Sequence, residues 1–124
     1  MNKEDRLEIA NKFLKIISDH GRRFFFNKKD GFIANFKMKN HRIYFVDDYT
    51  KKEIYLHYRF WGKGFSHGGT LKELVKALKE FIMGRQELPL NHLGPWRESM
   101  CGGDLWGYKD SMEAVRQECK KLIT

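Results

Sequence analysis

The residues best equipped for chemistry lie in one stretch, Arg59-Phe60-Trp61-Gly62-Lys63-Gly64-Phe65-Ser66-His67-Gly68-Gly69-Thr70. Glycine lets backbone N–H groups approach a ligand closely, and a helix N-terminus carries partial positive charge. A strand-like run enters this stretch and a strongly patterned helix leaves it. The combination predicts an anion site, most naturally for phosphate. It matches neither GxxxxGK[ST] nor GxGxxG, so the expectation rests on residue types and not on a named motif. The competing reading is a long glycine-rich loop in which Thr70 only caps a helix.

A second glycine-rich loop, 91–108, carries Gly94-Pro95-Trp96, Cys101-Gly102-Gly103-Asp104 and Trp106-Gly107-Tyr108. The two loops together hold all three tryptophans. If they meet at one end of a sheet, Trp61, Phe65, Trp96 and Trp106 wall a pocket. Arg59, Lys63 and His67 then supply positive charge, and Gly68, Gly69 and Thr70 take the phosphate. Aromatic walls for a base beside a phosphate cradle suit a nucleotide. In the alternative, the tryptophans form a satellite core that seals a long loop.

Candidates for catalysis are His57, His67, Ser66 and Asp104, since a general base needs an orienting partner and an aspartate could hold either histidine. Asp47-Asp48 sits in a turn, where backbone hydrogen bonding is a ready role. Two adjacent aspartates without further acidic ligands make a poor Mg²⁺ site. A zinc site from Cys101, Cys119, His92 and His67 would need a spacing used by no common zinc module. No nucleophile elbow, HExxH or kinase signature is present. Neither a metal nor a cofactor is expected, and binding without catalysis leads over hydrolysis by His67.

The elements that must position these groups follow from periodicity. Residues 4–19 carry Leu7, Ala10, Phe13, Leu14 and Ile17 at helical spacing, with Gly21 just beyond. Strand-like runs follow at 22–26, 32–38, 42–47 and 53–60, broken by short polar turns that favour an antiparallel meander. Residues 71–83 form the clearest helix, with an expected capping box of Thr70 and Glu73. Residues 85–109 lack periodicity, and a last helix is expected over about 111–122, with Cys119 filling core space. The expectation is one α+β domain over residues 1–124, in the order αββββα-loop-α, with a four-stranded antiparallel meander and helices packed on one face.

Alternation sends Phe24, Phe26, Phe32, Ala34, Phe36, Ile43, Phe45, Ile54 and Leu56 to the core face. It sends Arg23, Phe25, Tyr44, Tyr55, His57 and Arg59 to the other. Aromatics interleaved with arginine suit a base-stacking platform, or an oligomer interface.

The chain of 124 residues has a formal net charge of +8. Residues 20–69 hold eleven Lys/Arg against four Asp/Glu, so the excess sits on the expected sheet and the loop after it. Localised positive charge implies an anionic nucleotide, nucleic acid or an acidic protein surface as partner. It argues against a DNA mimic. Charges interrupt the apolar positions of residues 1–20, no apolar run is long enough for a bilayer, and the two cysteines need no oxidising compartment. A cytoplasmic protein without a membrane partner is expected.

Asp47-Asp48-Tyr49-Thr50 through Ile54-Tyr55, Phe65-Ser66-His67-Gly68-Gly69-Thr70, Gly94-Pro95-Trp96 and the run from Cys101 to Tyr108 resemble small proteins encoded by phages and prophages. That resemblance implies counter-defence: sequestering a nucleotide signal, or blocking a host defence protein. The leading expectation is non-enzymatic binding of a phosphate-bearing nucleotide ligand. The alternatives are a single-stranded nucleic-acid module on the sheet face, a protein-interaction inhibitor and a small hydrolase.

Overall fold

A computed structural model describes residues 1–21, 24–57 and 64–124. Its element order is α1 (Lys3–His20), β1 (Asn35–Lys39), β2 (Arg42–Val46), β3 (Glu53–Tyr55), α2 (Gly69–Ile82) and α3 (Met112–Lys120), with short 3₁₀ turns around the last helix and in the loop before it. The fold is α+β with an antiparallel sheet, as the periodicities require.

Helix α1 begins on a reciprocal capping box. The Asn2 side chain accepts from the Asp5 N–H at 2.8 Å, and Asp5 accepts from the Asn2 N–H at 3.3 Å. Its expected stripe is buried at Ala10, Phe13, Leu14 and Ile17. The helix stops where a side chain cannot pass: a Cβ on Gly21 would lie 2.4 Å from the Trp106 carbonyl oxygen. In α2, Leu71, Leu74, Val75, Leu78, Phe81 and Ile82 are all buried. The expected Thr70–Glu73 box does not form. The helix starts earlier, with Gly68 as N-cap and no side-chain cap, which leaves Thr70 inside the first turn. In α3 the inward residues are Val115 and Cys119, and burial pushes the Cys119 thiol up to about 12, a packed and inert cysteine.

The sheet has three strands in the order β1-β2-β3 among the described residues, where four were expected. Phe36 pairs with Phe45, and Phe45 with Ile54, so the core face reads as alternation predicts. Among the described residues, the first strand-like run contributes only an isolated bridge between Phe26 and Ile33. Two features explain the shortfall. Phe25 adopts a left-handed φ of 63°, which breaks an extended run. The outer edge of β1 is also occupied by a side chain: Asn11 of α1 accepts from the Phe36 N–H at 2.6 Å and donates to the Phe36 carbonyl at 3.1 Å. One amide thus satisfies the two Phe36 backbone groups on the edge where a fourth strand would have paired. Arg22, Arg23 and the end of the last run, including Tyr58, Arg59 and Phe60, lie outside the described residues.

The turned backbone at Phe25 also reverses its expected side. Phe25 is fully buried, while Phe24 and Phe26 are half-buried. Its ring meets Phe45 at 6.2 Å and Trp106 at 6.3 Å. No described helix is long and apolar enough to cross a membrane. Asn11→Ala should destabilise the chain by about 2 kcal/mol, because two edge groups of β1 lose their partner at once. Chemical denaturation checks this, and an unchanged midpoint would show that the amide is dispensable.

Candidate functional site

The site grows from the end of β2. Val46 closes the strand, and Asp47 and Asp48 follow it into the interior, at 0% and 1% exposure. Two buried carboxylates in sequence require compensation. Asp47 obtains it from two segments. One oxygen accepts from the Tyr49 and Thr50 N–H groups, both at 2.9 Å, which is the turn role expected for it. The other accepts from the Ser66 N–H and hydroxyl, both at 2.9 Å. Thr50 adds a bond from its hydroxyl to the Gly64 carbonyl at 2.9 Å. The 47–52 turn is therefore tied to the 64–66 segment. Burial pushes the Asp47 carboxyl up, but the bonds from Thr50, Ser66 and Tyr49 outweigh it and hold it below the usual carboxylate range.

Asp48 points to a different partner. Its Oδ1 lies 2.5 Å from His67 Nε2. Its backbone carbonyl accepts from the Asn27 amide at 3.1 Å. Its Oδ2 is buried without a hydrogen-bond partner among the described residues. The His67 side chain is 13% exposed and stands edge-on to Phe25 at 5.0 Å and Phe65 at 5.7 Å. An ionised carboxylate only accepts, so Nε2 donates to Asp48 and Nδ1 is the ring atom left to act on a ligand.

One residue further on, the chain enters α2 through Gly68 and Gly69. Both are exposed, and an added Cβ at either would meet nothing within 4 Å. The first turn of α2 carries no acidic residue. The N–H groups of such a turn lack intrahelical acceptors and attract an anion. His67, Gly68, Gly69 and Thr70 are thus brought to one place.

Trp106 belongs to the hydrophobic core, and Trp96 packs against that core. Trp106 is 0% exposed, and its Nε1 donates to the His92 carbonyl at 2.7 Å. Trp96 is half-buried against it, with ring centroids 6.5 Å apart. Trp106 reaches the site through Phe25, which touches both it and His67. Arg23, Arg59, Trp61 and Lys63 lie outside the described residues. Tyr44, Tyr55 and His57 do form a neighbouring set, with rings 5.4 Å and 5.2 Å apart. Asp104 is spent on its own loop, accepting from the Tyr108 and Lys109 N–H groups at 2.9 Å and 2.8 Å.

Chemically, the cluster offers a carboxylate-oriented imidazole beside a helix start. Ligand atoms of Asp47, Asp48 and His67 also lie within 4.8 Å of one another. Both Asp47 oxygens are already engaged by protein donors, so a cation there would compete with the bonds that hold the two segments together.

This is a small α+β protein, and the likeness of its residues to prophage-encoded proteins is borne out by comparison with known proteins. The chain belongs to the YoqU family, whose family model matches residues 1–123. It is 30% identical over 120 residues to the SPbeta prophage-derived uncharacterized protein YoqU of Bacillus subtilis (strain 168), covering 94% of this chain and 80% of that protein. No solved structure matches it.

The Asp47 network has a pH signature. Its carboxyl is depressed in the folded state, so its contribution is present above the unfolded value and lost as pH falls through the folded one. Asp47→Asn should cost about 2 kcal/mol at neutral pH. The gap from wild type should narrow below about pH 4. Urea midpoints measured across this range test it, and a gap independent of pH would remove the carboxylate from the account.

Proposed function

We propose that this chain binds a phosphate-bearing nucleotide ligand without turning it over, with its phosphate at the start of α2. The observation that carries the reading is the helix start itself: an uncapped first turn without an acid, opened by two exposed glycines, beside a histidine pinned to a buried aspartate. The anchored His67 supports it, because a donor held in place loses little freedom when a ligand arrives. His67 would donate to a phosphate oxygen through Nδ1 when both ring nitrogens carry protons. The excess of Lys/Arg over Asp/Glu in residues 20–69 would draw an anion toward this side of the fold. In a prophage-derived family, sequestering a nucleotide signal in the cytoplasm is a use such a binder would serve. Arg59, Trp61 and Lys63 are the residues proposed to complete the ligand's surroundings.

The geometry makes Gly69→Val a clean variant. No positive φ is required at Gly69 and no protein atom lies where the new side chain begins, so the fold should survive. In a thermal-shift screen of mononucleotides, dinucleotides and cyclic nucleotides, the wild type should be stabilised in a saturable way. Gly69→Val should melt at a similar temperature alone and lose that stabilisation. His67→Gln should weaken binding by about 1 kcal/mol, or roughly fivefold. Equal stabilisation of Gly69→Val would refute the cradle. Mass spectrometry of the ligand after incubation with stoichiometric protein should return it intact, whereas turnover that His67→Gln abolishes would make the chain a hydrolase.

A further inference from the structure

At the opposite end of α2 lies a second, differently built recess. It is a cleft of about 370 Å³ between the sheet and the last turn of the helix, lined by His41, Arg42, Tyr55, His57, Lys79 and Arg85, with an apolar floor of Ile43, Leu56 and Met83. None of these lining residues is acidic. Lys79 and Arg85 share one carboxylate, Glu80, at 3.7 Å and 3.2 Å. Among the described residues no carboxylate pairs with Arg42, His41 or His57. Two more cations stand close by and, among the described residues, bond only to backbone. Lys3 donates to the His41 carbonyl at 2.9 Å, and Arg6 donates to the Ile82 carbonyl at 2.9 Å.

The cleft opens onto a row of rings. His57 lies 5.2 Å from Tyr55, and Tyr55 lies 5.4 Å from Tyr44. The row crosses from β3 to β2, because Tyr44 and Tyr55 are cross-strand partners. Arg42 stands over the Tyr55 ring at 5.3 Å and Lys39 over the Tyr44 ring at 5.7 Å. Tyr55 is 39% exposed, a large aromatic left accessible on the sheet surface. The acid on this face, Glu53, is held by Lys37 at 3.0 Å and by Lys39.

We infer that the cleft and the ring row bind single-stranded nucleic acid. Bases of either strand type offer a π-face to Tyr55, Tyr44 and His57, and the phosphates between them meet Arg42, Lys79 and Arg85. A single nucleotide would fill the cleft, where Tyr55 and His57 stand, but leave Tyr44 beyond it unused, so a strand of roughly two or three nucleotides is the better match. A duplex hides its base faces in the stack and could use only the cations. This site is separate from the helix start of α2 and does not depend on it.

The test is fluorescence polarisation with a dye-labelled single-stranded dT oligomer of about 12 nucleotides, spanning the usual range of such sites. Wild type should bind it saturably, with affinity falling as salt rises. Tyr55→Ala should lose roughly tenfold or more in affinity, and Tyr55→Phe should keep most of it. Arg42→Gln should lower the salt slope by about 0.7, the loss of one phosphate contact. Gly69→Val should bind like wild type, which separates this site from the nucleotide cradle. Tyr55 is on the surface, so its variants should melt with wild type, and the melting curve confirms that binding is read on folded protein. The inference is overturned if wild type does not bind the oligomer at low salt. It is also overturned if Tyr55→Ala binds as tightly as wild type, or if a duplex of the same length binds better than the single strand. Either of the first two outcomes would reduce the cleft to a solvated basic surface, and the third would make it a site for duplex phosphates read by charge alone.

Discussion

The buried carboxylate of Asp47 is the joint on which the candidate site of this protein depends. It draws donors from its own turn and from the 64–66 segment, so two pieces of chain distant in sequence share one acceptor. A carboxylate without exposure tolerates no missing partner, because an unpaired buried charge is costly. That cost makes the joint specific. The turn after β2 and the approach to α2 have to arrive together.

The position of His67 follows from that joint. Ser66 is fixed to Asp47, and the next residue meets Asp48 at 2.5 Å. The adjacent aspartates therefore divide the work, one closing the backbone and one aiming an imidazole. Behind the imidazole stands Phe25, fully buried in a left-handed backbone conformation that a phenylalanine adopts only at a cost. Burial of its ring against Phe45 and Trp106 offsets that cost. The loop of residues 85–109 thus contributes to the site indirectly, through the packing that holds Phe25 and so His67.

The sequence was readable wherever one period held without interruption. The α1 and α2 stripes and the pairing of Phe36, Phe45 and Ile54 are of this kind, as is Cys119 in the core. It misled where a single residue departed from its run. Alternation put Phe25 on the open face, and nothing in Arg22 to Phe26 announces a positive φ. The described sheet stops at three strands for a related reason, since no local pattern says that Asn11, a polar residue on a helix, will pair with the β1 edge. Thr70 and Glu73 have the spacing of a capping box, yet the glycines ahead of them let the helix begin sooner. At the site, a turn role for Asp47 was legible from residue type. The bond between Asp48 and His67 was legible only as one of several possible Asp–His pairings, because contact across nineteen residues has no local signature.

The two ends of α2 thus present different surfaces, an uncapped start beside an oriented histidine and a basic cleft bordered by rings. The central claim concerns the first: that the opening turn of α2 is where phosphate binds. Backbone amide chemical shifts measured during titration with a nucleoside triphosphate test it most directly. The account predicts saturable shifts at Gly69, Thr70 and Leu71 and at the His67 ring, with little change at Trp106 in the core. A titration in which the ligand binds while these amides stay still would contradict it.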